Sequence, residues 1–206
     1  MAPNEQHKEF TFIIMLQNEE NLLKKAKDGS REALMALIRK YEPQVAATAI
    51  GMLGPGPEAE DVGQETFIRF YQSLSKFRGD STLGTYLTRI AINLSLNQIK
   101  RRRLVRARFH TDTSDKIDNY PDLDRAAERS EAHKLIQKGL QSLEPKFRSV
   151  LVLRLIHGFS TSETARILKL PLGTVLSRLA RGQQKLRDIL TPLYGKDLNE
   201  KGNGLE

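Results

Sequence analysis

Ser177, Arg178, Arg181, Gln184 and Lys185 recur at spacings of one, three and four residues, so a helix carries them largely on one side. Arginine forks pair with the acceptors on a guanine edge, hydroxyls bond bases or phosphates, and an ammonium neutralises phosphate. This is chemistry for reading a DNA groove, with no bond made or broken. Val175, Leu179, Leu186 and Leu190 form an apolar stripe on the same stretch. A second cationic set, Lys100, Arg101, Arg102, Arg103, Arg106 and Arg108, crowds one short run and suits phosphate contact. The bland reading of either set is a solvated helix face or helix end.

Other chemistries find little support. The chain has no cysteine, which removes disulfides, thiolate metal sites and thiol nucleophiles together. His7, His110, His133 and His157 are scattered, with no i, i+4 pair and no carboxylate constellation, so no metal, cofactor or catalytic residue is expected. No glycine-rich phosphate loop follows a strand pattern. A net charge of +8 and a pI of about 9.7 make nucleic acid the default partner, with acidic membrane surfaces as the rival. No apolar run approaches the ~18–20 residues of a membrane span. The early run Phe10 to Leu16 lacks the flanks of a signal peptide, so a cytoplasmic protein is expected.

The elements that must position these residues read as helices throughout, an all-α chain of two small helical domains joined by a flexible acidic linker. Residues 1–17 are an N-terminal extension, 18–104 the first domain, 105–124 the linker, 125–194 the second domain and 195–206 a tail. In the first domain, Asn18 to Lys27 is a short helix and Ser30 caps the next, with Pro43 predicting a kink. The run GPGP at 54–57 is a loop, Glu58 to Leu74 a third helix, and Ser81 or Thr82 starts a fourth. In the second domain, Leu135, Ile136, Leu140 and Leu143 mark one helix and Glu144-Pro145 opens another. Ser160 and Glu163 have capping-box spacing, Pro171 forces a turn, and Gly173 and Thr174 open a second helix with Thr174 as N-cap. Residues 160–190 are thus a helix-turn-helix, able to place one basic face in a major groove.

The segment AEDVGQETFIRFYQSLSKFRGDSTLGTYLTRIAINLSLNQIKRRR (59–103) resembles region 2 of the extracytoplasmic-function (ECF) group of sigma factors, in the sigma-70 family. The segment GFSTSETARILKLPLGTVLSRLARGQQKLR (158–187) resembles their region 4. Helix-turn-helix units are widespread, but both segments in this order are far more specific. The resemblance implies a transcription-initiation factor of bacterial type that is not an enzyme. It implies that Asp61, Gln64 and Glu65 bind the clamp helices of the largest subunit of RNA polymerase core, and that region 4 meets the flap. Phe77, Arg78, Asp80, Ser81, Thr82, Thr85, Tyr86 and Asn93 correspond to the element that captures an unstacked minus-ten base. Phe77 and Tyr86 would supply the wall and the others the polar groups. Phe77 is equally readable as a core residue, and many family members have tryptophan where Tyr86 stands. Lys100, Arg101, Arg102 and Arg103 would grip the DNA backbone.

Thr174, Ser177, Arg178 and Arg181, with Lys185, would read the minus-thirty-five element of promoter DNA. Leu176 and Gln183 stand where the family usually has bases; Leu176 is readable either as a contact to a thymine methyl or as a residue packed inside, the second slightly favoured. The resemblance also implies an anti-sigma factor as partner, with possible sequestration at the membrane. Family members read elements ~50–70 Å apart. About 20–25 linker residues reach ~70–85 Å only when extended and span ~25–30 Å as a relaxed coil. The free chain is therefore expected to leave its domains loosely coupled and to bind promoters poorly. The rival reading is a plain DNA-binding regulator whose first domain senses a ligand or dimerises.

Overall fold

The computed structural model describes residues 19–109 and 131–202; the N-terminal extension and most of the acidic linker lie outside the described residues. All regular structure among the described residues is helical. A short helix, α1 (19–27), precedes α2 (Arg31–Leu53), which Ser30 caps by accepting the Ala33 N–H at 3.2 Å. The helix α2 runs through Pro43 as one element. The glycine at its end, Gly54, has φ +85°, and Pro57 occupies the first turn of α3 (Pro57–Ser73), so the expected loop is short and the helix begins one residue early. A single 3₁₀ turn, Leu74–Lys76, leads to the loop before α4 (Leu83–Phe109). Thr82 caps α4 by accepting the Thr85 N–H at 3.2 Å. The basic run is therefore helical to Phe109, beyond the boundary expected at residue 104.

The first core lies between α2, α3 and α4. It comprises Leu37, Val45, Phe70, Leu74, Leu83 and Leu87, each at most 4% exposed. Tyr41 on α2 donates to Glu19 at 2.6 Å, and Lys40 pairs with the same carboxylate, which fixes α1.

The second unit begins, among the described residues, with α5 (Glu131–Ser142), followed by α6 (Pro145–Leu151). A wider π turn, Val152–Ile156, continues α6, and Phe159 N–H reaches back to the Leu153 carbonyl at 3.1 Å. Ile136 is 41% exposed, so of the predicted α5 stripe it is Leu140 and Leu143 that are buried. Helix α7 (Thr161–Leu168) carries the predicted capping box in full: Ser160 Oγ accepts the Glu163 N–H, and the Glu163 carboxylate accepts the Ser160 N–H at 2.7 Å. Lys169 then turns the chain in a left-handed conformation, φ 53°. Helix α8 (Leu172–Gly202) starts directly after Pro171, whose carbonyl accepts the Thr174 and Val175 N–H groups. Thr174 therefore sits inside the first turn and is not the N-cap. Val175 is fully buried and Leu179, Leu186 and Ile189 pack inward. At Gly139 of α5 an added Cβ would lie 2.8 Å from Leu186, so glycine lets α8 approach.

The expected loose coupling is not what the structure has. Ala49, Met52 and Leu53 of α2 share one buried cluster with Ile92 of α4 and with Val152, Leu153 and Ile167 of the second unit. Arg148, only 8% exposed, donates to the Met52 carbonyl at 2.5 Å, to Gln141 Oε1 at 2.7 Å and to the Leu143 carbonyl at 2.9 Å, and also to the Gln141 carbonyl. Gln141 Nε2 reaches the Gly51 carbonyl at 3.2 Å. The last turn of α2 holds no basic residue of its own, so a cation from the second unit serves its dipole and open carbonyls. The length-dependent closure cost of a linker of some 20 residues is only ~3 kcal/mol. Each fully buried aliphatic side chain returns ~1.5–3 kcal/mol, so a few of them decide for the closed form.

His157 also bridges the units, its Nε2 lying 2.9 Å from Thr48 Oγ1. Burial holds its pKa below the usual histidine range. The unfolded chain therefore binds the proton first. Stability is level above the unfolded pKa of ~6.5 and falls as pH drops through it, by at most ~1.4 kcal/mol per pH unit. Thermal unfolding between pH 7.5 and 5 should show that loss, and His157→Gln should flatten it over this window. An unchanged slope in the variant would contradict this role of His157.

Candidate nucleic-acid interface

Four exposed rows of side chains meet the sequence expectations with uneven success. On α3, Asp61 and Gln64 point to solvent, whereas Glu65 is half-buried and bonded to Arg69 at 2.7 Å. Glu58, one turn earlier, is turned to Arg102 and Gln98. The same exposed row continues into Ile68, 50% exposed, and Tyr71, 64% exposed. Sequence reasoning missed both, although 61, 64, 68 and 71 have helical spacing. An acidic and amide-bearing row that ends in two exposed large side chains has the chemistry of a protein contact more than of a DNA contact.

The loop 77–82 and the first turns of α4 form the second row. Arg78, Asp80 and Thr82 are exposed, Ser81 and Thr85 half-buried, and Asn93 exposed two turns further on. Thr82 and Thr85 share a hydroxyl bond of 2.9 Å. Phe77 does not join them. It is 9% exposed and belongs to the first core, where Tyr86 packs on it at 5.1 Å between ring centres. Its carbonyl accepts from Lys27 at 2.7 Å. The reason is local: the 3₁₀ turn Leu74–Lys76 swings Phe77 back under α4 before the loop leaves the surface. Tyr86 is half-buried, its hydroxyl 2.8 Å from Ser73 Oγ, and the Arg89 guanidinium lies 5.4 Å over its ring. Arg89 is a further missed residue; its signal was its place one turn from both Thr85 and Asn93. The platform offered to a base on this face is an arginine plane backed by a tyrosine.

On the basic end of α4, Lys100, Arg101 and Arg103 are exposed, while Arg102 is half-buried against Glu58 at 3.1 Å. Arg102 holds α4 to α3 and presents less of its charge than its neighbours.

On α8, Ser177 and Arg181 are exposed and Arg178 and Thr174 half-buried. Ser177 Oγ donates to the Thr174 carbonyl at 3.0 Å, a bond it can exchange for a base or phosphate. Lys185 is exposed but leans back on its own unit, 3.9 Å from Glu144 and 5.6 Å over the Phe147 ring. Leu176 reverses the expectation: it is 51% exposed, on the outer face of the helix. Among the described residues no cluster of three or more ligating side chains could hold a metal ion, and no helix is long and apolar enough to cross a membrane.

Comparison with known proteins agrees with the two-unit arrangement. The family model for sigma-70 region 2 matches residues 37–105, and that for sigma-70 region 4 matches residues 139–188. The RNA polymerase sigma-H factor of Pseudomonas aeruginosa is 32% identical over 191 residues, covering 88% of this chain and 98% of that one. The ECF RNA polymerase sigma factor SigW of Bacillus subtilis is 30% identical over 182 residues, covering 83% and 96%. Among solved structures, the sigma factor RpoE of Bartonella quintana, crystallised with the anti-sigma factor NepR, superposes with a TM-score of 0.64. It is 24% identical, with 76% of this chain and 95% of that chain covered, a likeness of fold. With the two units matched in order, and with relatives of this identity spanned almost end to end, the chain belongs to the ECF group of the sigma-70 family of RNA polymerase sigma factors.

Proposed function

We propose that the chain is a dissociable initiation factor that recruits RNA polymerase core to specific promoters and does no covalent chemistry itself. The observation that carries this is the presence, in one chain, of two matched units that each bring a row of hydrogen-bonding and cationic side chains to the surface: Thr82 before α4 with the part-exposed Thr85 and Arg89 and the exposed Asn93 on it, and Ser177 and Arg181 on α8. In this reading the row from Asp61 to Tyr71 docks on the clamp helices of the core, and region 4 meets the flap. The loop 77–82 with the start of α4 captures a minus-ten base once it unstacks, at the Arg89–Tyr86 platform. Lys100, Arg101 and Arg103 follow the phosphates, and α8 enters the major groove of the minus-thirty-five element. The factor works in the cytoplasm, and an anti-sigma factor is its expected regulator.

The test is transcription from a genomic template library with purified core, start sites being mapped with and without this chain. Discrete starts that require both components support the proposal. Starts independent of core, or none, refute it and leave a plain DNA-binding regulator. Within that assay, Arg181→Ala should cost about 1–3 kcal/mol of discrimination at one minus-thirty-five base pair, roughly a 5- to 150-fold loss of preference. Core affinity in a direct binding assay should be unchanged, because Arg181 is exposed on the far side of α8 from its core. Equal loss on all templates would make Arg181 a phosphate contact instead.

A further inference from the structure

The exposed face of α8 carries two large side chains that no charge or hydrogen bond explains, Leu172 and Leu176. Leu176 is 51% exposed, whereas Val175 beside it is fully buried. Its neighbours on the outer face are Gly173, Ser177 and Ala180. An added Cβ at Gly173 would meet nothing within 4 Å. Leu176 therefore stands clear of a flat, small-residue surface that lets the helix backbone come close to a groove floor. Arg181 and Ser177, both exposed, lie to one side of it, so the occupant this face attracts is a polyanion. Leu172, one turn earlier on the same side and equally exposed, stands at the very start of the helix.

In the major groove of unmodified DNA, only thymine offers an apolar group, its C5 methyl; the other edges offer donors and acceptors that a leucine cannot pair. We propose that Leu176 is a specificity-determining residue that reads a thymine methyl in the upstream promoter element, beside the position read by Arg181. This rests on the reading of α8 as the minus-thirty-five helix. The consequence is a promoter set selected for thymine at one position, where a cation at position 176 would instead favour guanine or phosphate.

Replacing thymine by uracil removes the methyl and leaves the hydrogen-bonding edge intact. Holoenzyme built from core and the full chain is first used to select an upstream element from a randomised pool placed before a constant downstream region. Each thymine of the winner, on either strand, is then changed to uracil and promoter occupancy is measured. At one position uracil should weaken wild-type holoenzyme about threefold to fivefold. Leu176→Ala should bind the thymine and uracil templates equally there, at the level of wild type on uracil. Wild-type indifference to every uracil overturns the proposal, as does a methyl effect that survives in Leu176→Ala. If Leu176→Ala instead lowers affinity for core while the methyl effect is absent, the side chain serves a protein partner and the proposal is again overturned. A holoenzyme that selects no upstream element at all while still initiating at defined starts removes the reading of α8 itself, a distinct failure.

Discussion

Replacing Arg148 with alanine lowers the unfolding free energy by about 3–5 kcal/mol, the cost of several buried acceptors left without a donor, and loosens the two helical units from each other. The guanidinium is buried, and its donors reach the carbonyls of Met52, Gln141 and Leu143 and the amide oxygen of Gln141. Burial first, then Arg102 and Arg103, depress its pKa to about 10, which still leaves it cationic at neutral pH. Alanine removes the donors and leaves the Met52 carbonyl, at the negative end of α2, without its partner in a closed interface. A loss of this size exceeds the 0–1 kcal/mol of the solvent-accessible pair Arg69–Glu65, where water can replace the bonds. Gly51→Leu provides a second route to the same outcome. A Cβ there would already lie 3.0 Å from Val152 and 3.1 Å from Ile156, both on the opposite unit, so a larger side chain wedges the interface with Arg148 intact. Denaturant unfolding gives the energies, and small-angle scattering shows whether the units separate. Arg148→Ala with wild-type stability and dimensions would contradict the closed form.

The second large effect falls on core binding. Ile68→Asp with Tyr71→Asp should weaken affinity for RNA polymerase core by 100-fold or more, with little change in folding stability. Both side chains are at least half exposed, so the fold gains nothing from them. An interface of this kind draws most of its energy from a few central apolar and aromatic anchors, whose truncation costs at least ~2 kcal/mol each. The polar rim of Asp61 and Gln64 then governs orientation and rate of encounter more than affinity. Asp61→Asn should accordingly change affinity much less and alter its salt dependence. Titration of labelled core at two ionic strengths separates these. Tight binding by the double variant would mean that another surface docks.

Much of this architecture is written in local signals. The capping box at Ser160 and Glu163, the cap at Ser30 and the helix start at Pro145 are each determined by side chains a few residues apart, and all form as their spacing predicts. Thr174 was misread because a threonine before an apolar stripe is a good cap in isolation, whereas here the Pro171 carbonyl already accepts the first N–H groups. Phe77 takes the core reading of the two its sequence allowed, and Leu176 stands in solvent against the favoured one. A short 3₁₀ turn redirected the first inward, and the phase of α8, set by Val175 and Leu179, turned the second outward. The joint between units was the least legible feature. The partners of Arg148 and Gln141 are largely backbone carbonyls, which no residue type announces, and linker length alone favoured loose coupling.

The central claim is that this chain and core polymerase together open a promoter that neither opens alone. Permanganate reactivity of minus-ten thymines on a duplex template at physiological temperature measures that step directly, since it modifies unpaired bases. Reactive thymines, downstream of the selected minus-thirty-five element, are expected only when core and this chain are both present. Thymines that stay protected in the mixture, or that become reactive with this chain in the absence of core, would contradict it.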